Sequence, residues 1–309
     1  MTTSEDAPSP EPDASAGPPV VVGVDGSASA LHAVDTAARE AALRGCSLRV
    51  VHVFVWPALH VPLGPSALGP AEGGLRNLAR QTVTEAVQRA RAAAPDVTVT
   101  QAVVNGEALT ALEAESRSAR LIVVGSRGMG GFIGLLVGST AVHLSAHSHC
   151  PLLVVREQSA QGDGRVVLGV DGSPAGRAAI DFAFAHAALH GTGILALHAW
   201  SDWSVQAPAP ADPAEPYAAE PGALAAGEER LLAESMAGRA AEHPDVKVEH
   251  RVVKGGAREA LIAASEGAGL VVVGARGRGG FTGLLLGSVS QALLHHAHSP
   301  VAVVRPAAP

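Results

Sequence analysis

Short apolar runs alternate along the chain with longer stretches in which apolar residues recur every three or four positions. Val20–Val24 reads as a strand. Ala28–Leu43 reads as a helix, with Leu31, Val34, Ala38 and Ala42 at helical spacing. Ser47–Val55 is a second strand, Leu75–Ala93 a helix, Val97–Val104 a third strand and Ala108–Glu115 a helix. Leu121–Val124 is a fourth strand, a helix starts near Ser139, and Leu152–Val155 is a fifth strand. Strands alternating with helices predict a parallel sheet with helices on both faces and right-handed crossovers.

The pattern then repeats. "VVVGVDGSASA" (20–30) matches "VVLGVDGSPAG" (166–176), and "RVVHV" (49–53) matches "LALHA" (195–199), both at an offset of 146. "VVNGEALTAL" (103–112) matches "VVKGGAREAL" (252–261), and "GSRGMGGFIGLLVGS" (125–139) matches "GARGRGGFTGLLLGS" (274–288), both at an offset of 149. The three inserted residues fall in stretches rich in Pro, Gly and Ala, which read as loops, where insertions are tolerated. A repeat of this length exceeds a solenoid unit and is domain-sized. The division expected is a disordered tail over 1–18, one domain over 19–156, a linker over 157–164 and a second domain over 165–306.

Composition narrows the class. Of the 309 residues, 47% are hydrophobic but only 3% aromatic, so the cores must be aliphatic. A net charge of −7 argues against a general nucleic-acid binder, which needs a basic footprint. The two cysteines, Cys46 and Cys150, sit at unrelated places in the repeat, so a reducing cytosol fits better than a disulfide framework. The acidic, proline-rich N-terminal stretch lacks the pattern of a signal peptide, and no apolar run reaches the roughly 20 residues of a membrane span. A soluble, cytoplasmic protein is expected. Lysine supplies only Lys247 and Lys254 among 22 basic residues, a usage that fits a GC-rich bacterial genome.

Ligands of open α/β sheets sit beyond the carboxyl ends of the strands, where the winding reverses. Three repeated features fall there. Asp25 and Asp171 close the first strand of each copy, and Ser27 and Ser173 have the character of N-caps, with Pro174 suited to a first turn. Val53 and Ala199 lie near the end of the second strand. The glycine segment follows the fourth. Gly125 and Gly128, like Gly274 and Gly277, bring bare backbone toward an anion. Gly138–Ser139 and Gly287–Ser288 stand where a helix begins and exposed amides meet the positive end of the dipole. Arg127 and Arg276 are also repeated and suited to steadying phosphate. The layout predicts adenine and ribose beside Asp25 and Val53, with Asp25 across the switch point from phosphates held by the glycines.

Other chemistries are missing. Ile133 and Thr282 break a Gly-x-Gly-x-x-Gly register, and no Gly-Lys-Ser/Thr or nucleophile elbow occurs. His143 and His147 share a helix face by spacing, but Ala292 stands where copy two would need the first of them, and no second ligand pair completes a site; no metal site is expected. His52 and His198 lie inside apolar strands and read as core histidines with satisfied hydrogen bonds.

With these residues in hand, the chain resembles the universal stress protein family over nearly its whole length. The resemblance rests on "VGVDGS" and "LGVDGS", "VVHV" and "LALHA", the doubled Gly-x-x-Gly-(nine)-Gly-Ser signature, and the closing "HSHCPLLVVR" and "AHSPVAVVRP". It implies two tandem Rossmann-like α/β domains of the adenine nucleotide alpha hydrolase-like kind, each an open five-stranded sheet of order 3-2-1-4-5. It implies ATP, with Mg2+ as a candidate counter-ion, contacted by Asp25, Val53, Gly125, Gly128, Gly138 and Ser139 and by Asp171, Ala199, Gly274, Gly277, Gly287 and Ser288. Met129 against Arg278 is a difference expected to make the second site more attractive to anions. Family members dimerise through the last strand. An eight-residue linker reaches at most ~29 Å, ample for Leu152–Val155 to lie beside Val301–Val304 as an intrachain pseudo-dimer. A homodimer of whole chains is a further assembly open to it.

No repeated Glu or His stands beside the glycine segment to position a water, so the residues favour nucleotide binding with little turnover. A slow ATPase and a nucleotide-free scaffold are the alternatives. No catalytic residue is assigned.

Overall fold

The computed structural model describes residues 17–54, 71–128, 138–156, 164–201, 223–278 and 285–306. It divides into two compact units, residues 1–157 and 158–309. Residues 1–16 of the tail, the linker segment 157–163, Val55 and the interval 129–137, Met129 included, lie outside the described residues.

In the first unit the order is β1 (Val20–Val24), α1 (Ala28–Leu43), β2 (Leu48–Phe54), α2 (Ala71–Ala93), β3 (Val99–Asn105), α3 (Ala108–Glu115), β4 (Leu121–Gly125), α4 (Ser139–His147) and β5 (Leu152–Val155). The strands lie in the order β3-β2-β1-β4-β5, and each of these pairings is parallel. β1 and β4 are central and run Val-rich with almost no polar positions, as strands covered on both faces do. Val20, Val21, Val22, Leu121, Ile122 and Val123 are fully buried. α2 begins at Ala71, four residues ahead of the expected start, and carries Gly73 and Gly74 inside it.

The buried face of α1 differs from the one its spacing predicts. Ala30, Ala33, Val34, Ala37, Ala38 and Ala41 face the core, whereas Leu31 is half-buried and Ala42 exposed. The stripe of small residues wins because it lets the helix axis approach the sheet closely, which the larger Leu31 would prevent.

The second unit repeats the plan: β6 (Val166–Gly169), a short 3-10 turn (Pro174–Gly176), α5 (Arg177–His190), β7 (Ile194–Trp200), α6 (Ala223–Glu242), β8 (Val248–Lys254), α7 (Ala257–Ala264), β9 (Leu270–Gly274), α8 (Ser288–His296) and β10 (Val301–Val304). Its strand order is β8-β7-β6-β9-β10, again all parallel. Pro174 stands in the first turn, as expected, but that turn is 3-10 and passes into α5 at Arg177. Both cysteines are buried and free. Among the described residues, no helix is long and apolar enough to cross a membrane.

Candidate nucleotide site

Each unit turns sharply at the carboxyl end of its first strand. Asp25 Oδ1 accepts from Ser27 N–H at 3.0 Å, and Asp171 Oδ1 from Ser173 N–H at 2.9 Å. Gly26 and Gly172 adopt φ of 89° and 70°, a region that a side chain would strain, so the chain reverses within one residue. Ser27 Oγ then caps α1 by accepting from Ala30 N–H at 3.2 Å, and Ser173 Oγ accepts from Gly176 N–H at 3.1 Å. The N-cap expectations hold at both positions.

The second strand is tied to this corner by the paired histidines. His52 Nδ1 bonds Val24 O at 2.8 Å and His198 Nδ1 bonds Val170 O at 2.7 Å, which fixes the carbonyl immediately before each aspartate. His198 also reaches Glu228 Oε2 at 2.6 Å through Nε2, so a buried His–Glu pair backs the second unit's corner. The carbonyl and the carboxylate oxygen are satisfied together only if the pair keeps two protons, which leaves it net neutral.

The glycine corner is built by α4. Gly138 is the N-cap and Ser139 the first helical residue. Gly138 N–H donates to Ser126 O at 2.9 Å, and the first intrahelical bond runs from Val142 N–H to Gly138 O at 3.4 Å. The amides of Ser139, Thr140 and Ala141 therefore have no acceptor within the helix. The second unit copies this: Gly287 N–H donates to Ala275 O at 2.7 Å and Gln291 N–H to Gly287 O at 3.0 Å.

Asp25, Val53, Gly125, Arg127, Gly128, Gly138 and Ser139 all line one cleft of about 410 Å3 in the first unit. Apolar walls come from Val24, Val51, Leu112 and Val124. The volume lies within the roughly 300–1,000 Å3 usual for small-molecule clefts. In the second unit, Asp171 ends the first-strand corner, Ala199 lies on β7, Gly274 ends β9, Arg276 and Gly277 follow it, and Gly287–Ser288 open α8. A hollow of about 540 Å3 in this unit is lined by Asp171 together with α5 and α6, and by none of the other second-unit candidates.

Two details depart from the sequence reading. The first concerns Gly125. A Cβ on it would stand 2.6 Å from Ser29 Oγ, 2.7 Å from Ser29 C and 2.9 Å from Ala30 N. Its bareness serves the packing of β4 on the first turn of α1, before any ligand is considered. The second concerns Asp25. A Cβ on Gly128 would lie 2.5 Å from Asp25 Oδ2, and a Cβ on Gly277 would lie 2.5 Å from Asp171 Oδ2. Asp171 Oδ2 moreover accepts Arg278 N–H at 2.7 Å. Each aspartate thus abuts the glycine segment instead of standing across from it, and in the second unit the Arg278 amide holds the carboxylate there by a charge-assisted hydrogen bond.

Sequence reasoning passed over Arg156 and Arg305, although both close the repeated "VVR" ends. Burial, and then the neighbouring Arg127 guanidinium, hold Arg156 below the ordinary arginine range. Arg305 is lowered in the same way, by burial and then by Arg276. Each unit therefore sets two guanidinium groups near each other at the carboxyl ends of its fourth and fifth strands.

Comparison with known proteins agrees with the repeat. The sequence model of the universal stress protein family matches residues 18–156 and again 164–305. A universal stress protein of Mycolicibacterium smegmatis is 37% identical over 302 residues, spanning 93% of this chain and 97% of that protein. One from Mycobacterium tuberculosis is 36% identical over 296 residues, spanning 93% and 96%. The crystal structure of a universal stress protein from Archaeoglobus fulgidus superimposes with a TM-score of 0.65 at 17% identity, covering 93% of this chain and 96% of that one, a likeness of fold. The chain belongs to the universal stress protein family, with two such domains in tandem.

Proposed function

Proceeding from that membership, we propose that the chain is an ATP-binding universal stress protein of the cytosol, a nucleotide-dependent stress-response module with little turnover. The observation that carries this reading is the convergence of all seven first-unit candidates on one cleft. The residues present fit the ligand. The three outward amides of α4 suit a phosphate chain, and each hydrogen bond to a charged group nets about 1.5–3 kcal/mol. Three of them approach the ~8 kcal/mol of micromolar binding before ordering costs. Arg127 and Arg156 place two cations near one anion, which would relieve their mutual repulsion. The apolar wall and the Val53 main chain suit an adenine, and Asp25 suits a ribose hydroxyl once it leaves Gly128. Asp171, Ala199, Gly274, Arg276, Gly277, Gly287 and Ser288 hold the equivalent positions. Mg2+ would accompany the phosphates. The same reading includes an intrachain pseudo-dimer of the two domains, with a homodimer of chains as the larger assembly.

The test is mass spectrometry of small molecules released on denaturing the purified chain, followed by calorimetry with ATP. Up to two ATP per chain, lost in Gly138→Asp/Gly287→Asp, is the expected result. Absence of nucleotide together with no heat of ATP binding returns the chain to a scaffold. Steady multiple turnover of labelled ATP, abolished by the same double substitution, makes it a slow ATPase.

A further inference from the structure

Outside the nucleotide cleft, α3 and α4 bring together three groups that the sequence spacing left incomplete. His143 and His147 stand one turn apart on α4, with ring centroids 4.2 Å apart and planes inclined by 20°. Glu113, on α3, reaches His143 Nε2 with Oε2 at 3.1 Å. One donor atom from each of the three lies within 4.8 Å of the others. We propose that Glu113, His143 and His147 form a site for a first-row divalent transition ion of the Zn2+ class.

The chemistry of the donors supports the assignment. Two ligands about 2.1 Å from a tetrahedral ion are separated by roughly 3.4 Å, so small side-chain rotations close the triangle. His147 Nδ1 lies 3.0 Å from His143 O. Donation to that carbonyl leaves Nε2 as the nitrogen with a lone pair to offer, the outer-shell arrangement that ligating histidines use. Two imidazoles with one carboxylate suit Zn2+, Ni2+, Co2+ or Cu2+ better than Mg2+ or Ca2+, which favour oxygen. The fourth coordination position opens to solvent, since the side chains of His143 and Glu113 remain 27% and 28% exposed. A plain ion pair would use only one histidine; the second, stacked face to face on the first, gains nothing from it and would repel it if both were protonated.

The second unit supplies an internal control. The scaffold is the same there: Ser116 Oγ accepts His149 N–H at 3.0 Å, and Ser265 Oγ accepts His298 N–H at 2.9 Å at equivalent places. Yet Ile262 replaces Glu113 and Ala292 replaces His143, while His296 keeps the position of His147. Two ligands on different helices change together to apolar residues, as expected if they act as a unit. The site would cross-brace α3 and α4 in the first unit alone.

The experiment is calorimetric titration of the chelator-treated, tag-free full chain with Zn2+ alone, repeated with Co2+ read by visible absorption. One equivalent is expected in the unaltered chain. Its affinity should fall more than about tenfold in His143→Ala and in Glu113→Gln, since even outer-shell losses cost that much. Glu113→Ile/His143→Ala, which copies the second unit, should abolish it together with the Co2+ band, with far-ultraviolet circular dichroism unchanged. If that double variant misfolds, His143→Asn carries the same reading. No equivalent in the unaltered chain, or one that survives these substitutions undiminished, overturns the proposal and leaves Glu113 and His143 as an ion pair.

Discussion

Gly125 and Gly274 occupy the same place in the two copies, and the structure predicts that they tolerate alanine very differently. A Cβ on Gly125 meets Ser29 Oγ, Ser29 C and Ala30 N, all inside 3.0 Å, so two of its three closest neighbours are backbone. A Cβ on Gly274 has Arg276 O at 3.1 Å as its nearest neighbour and then nothing before 3.8 Å. Relief at Gly125 requires the first turn of α1 to move outward by roughly half an ångström or more. That turn is anchored by Ala30, Ala33 and Val34, which are at most 4% exposed, so the movement opens a packed interface. Overpacking typically costs about 1–3 kcal/mol, and a clash with backbone belongs at the upper end. Gly274→Ala should cost about 1 kcal/mol or less. At roughly 2–4 °C per kcal/mol for domains of 150–250 residues, Gly125→Ala lowers the first unit's melting temperature by about 6–12 °C. Differential scanning calorimetry of both variants without added nucleotide measures the contrast. Equal losses, or a Gly125→Ala chain that melts with the unaltered one, would show that the glycine is kept for ligand approach and refute the packing argument. Ser29→Ala added to Gly125→Ala should restore little, because the backbone contacts remain.

The buried pair in the second unit gives another check. Glu228→Ala should destabilise by about 1–3 kcal/mol in urea unfolding, because His198 Nε2 is left buried without its hydrogen-bond partner. Adding His198→Leu should then cost less than it does alone, and strictly additive costs would refute the coupling. Arg156→Ala and Arg305→Ala should each weaken ATP binding about tenfold or more at one of two sites, as a lost charge-assisted bond does; unchanged isotherms would remove both arginines from the site. Burial pushes the Cys150 thiol up from 9.0 to about 11, so its thiolate is scarcer than that of an ordinary thiol at any pH below 9. In a Cys46→Ser background, alkylation of the native chain at pH 8 should run at least about a hundredfold slower than after denaturation. Equal rates would contradict the burial.

What the residues determined unaided was the order of strands and helices, the existence of two copies, and the turns and helix starts at the carboxyl ends of the strands. These follow from local quantities. The apolar period within a segment sets its element type, and fixed offsets between Asp, Gly and Ser set where the turns and helix starts fall. Ser27, Pro174 and Gly138–Ser139 were legible for that reason. The tertiary structure alone decided which stripe of α1 is buried, why Gly125 has no side chain, and that Asp25 rests on Gly128. It alone brought Glu113, thirty residues away, to His143, and paired His198 with Glu228. Each of these depends on how close a neighbouring element stands. A segment's own periodicity is silent on that distance, since it is set by the sizes of the side chains packed between the two elements.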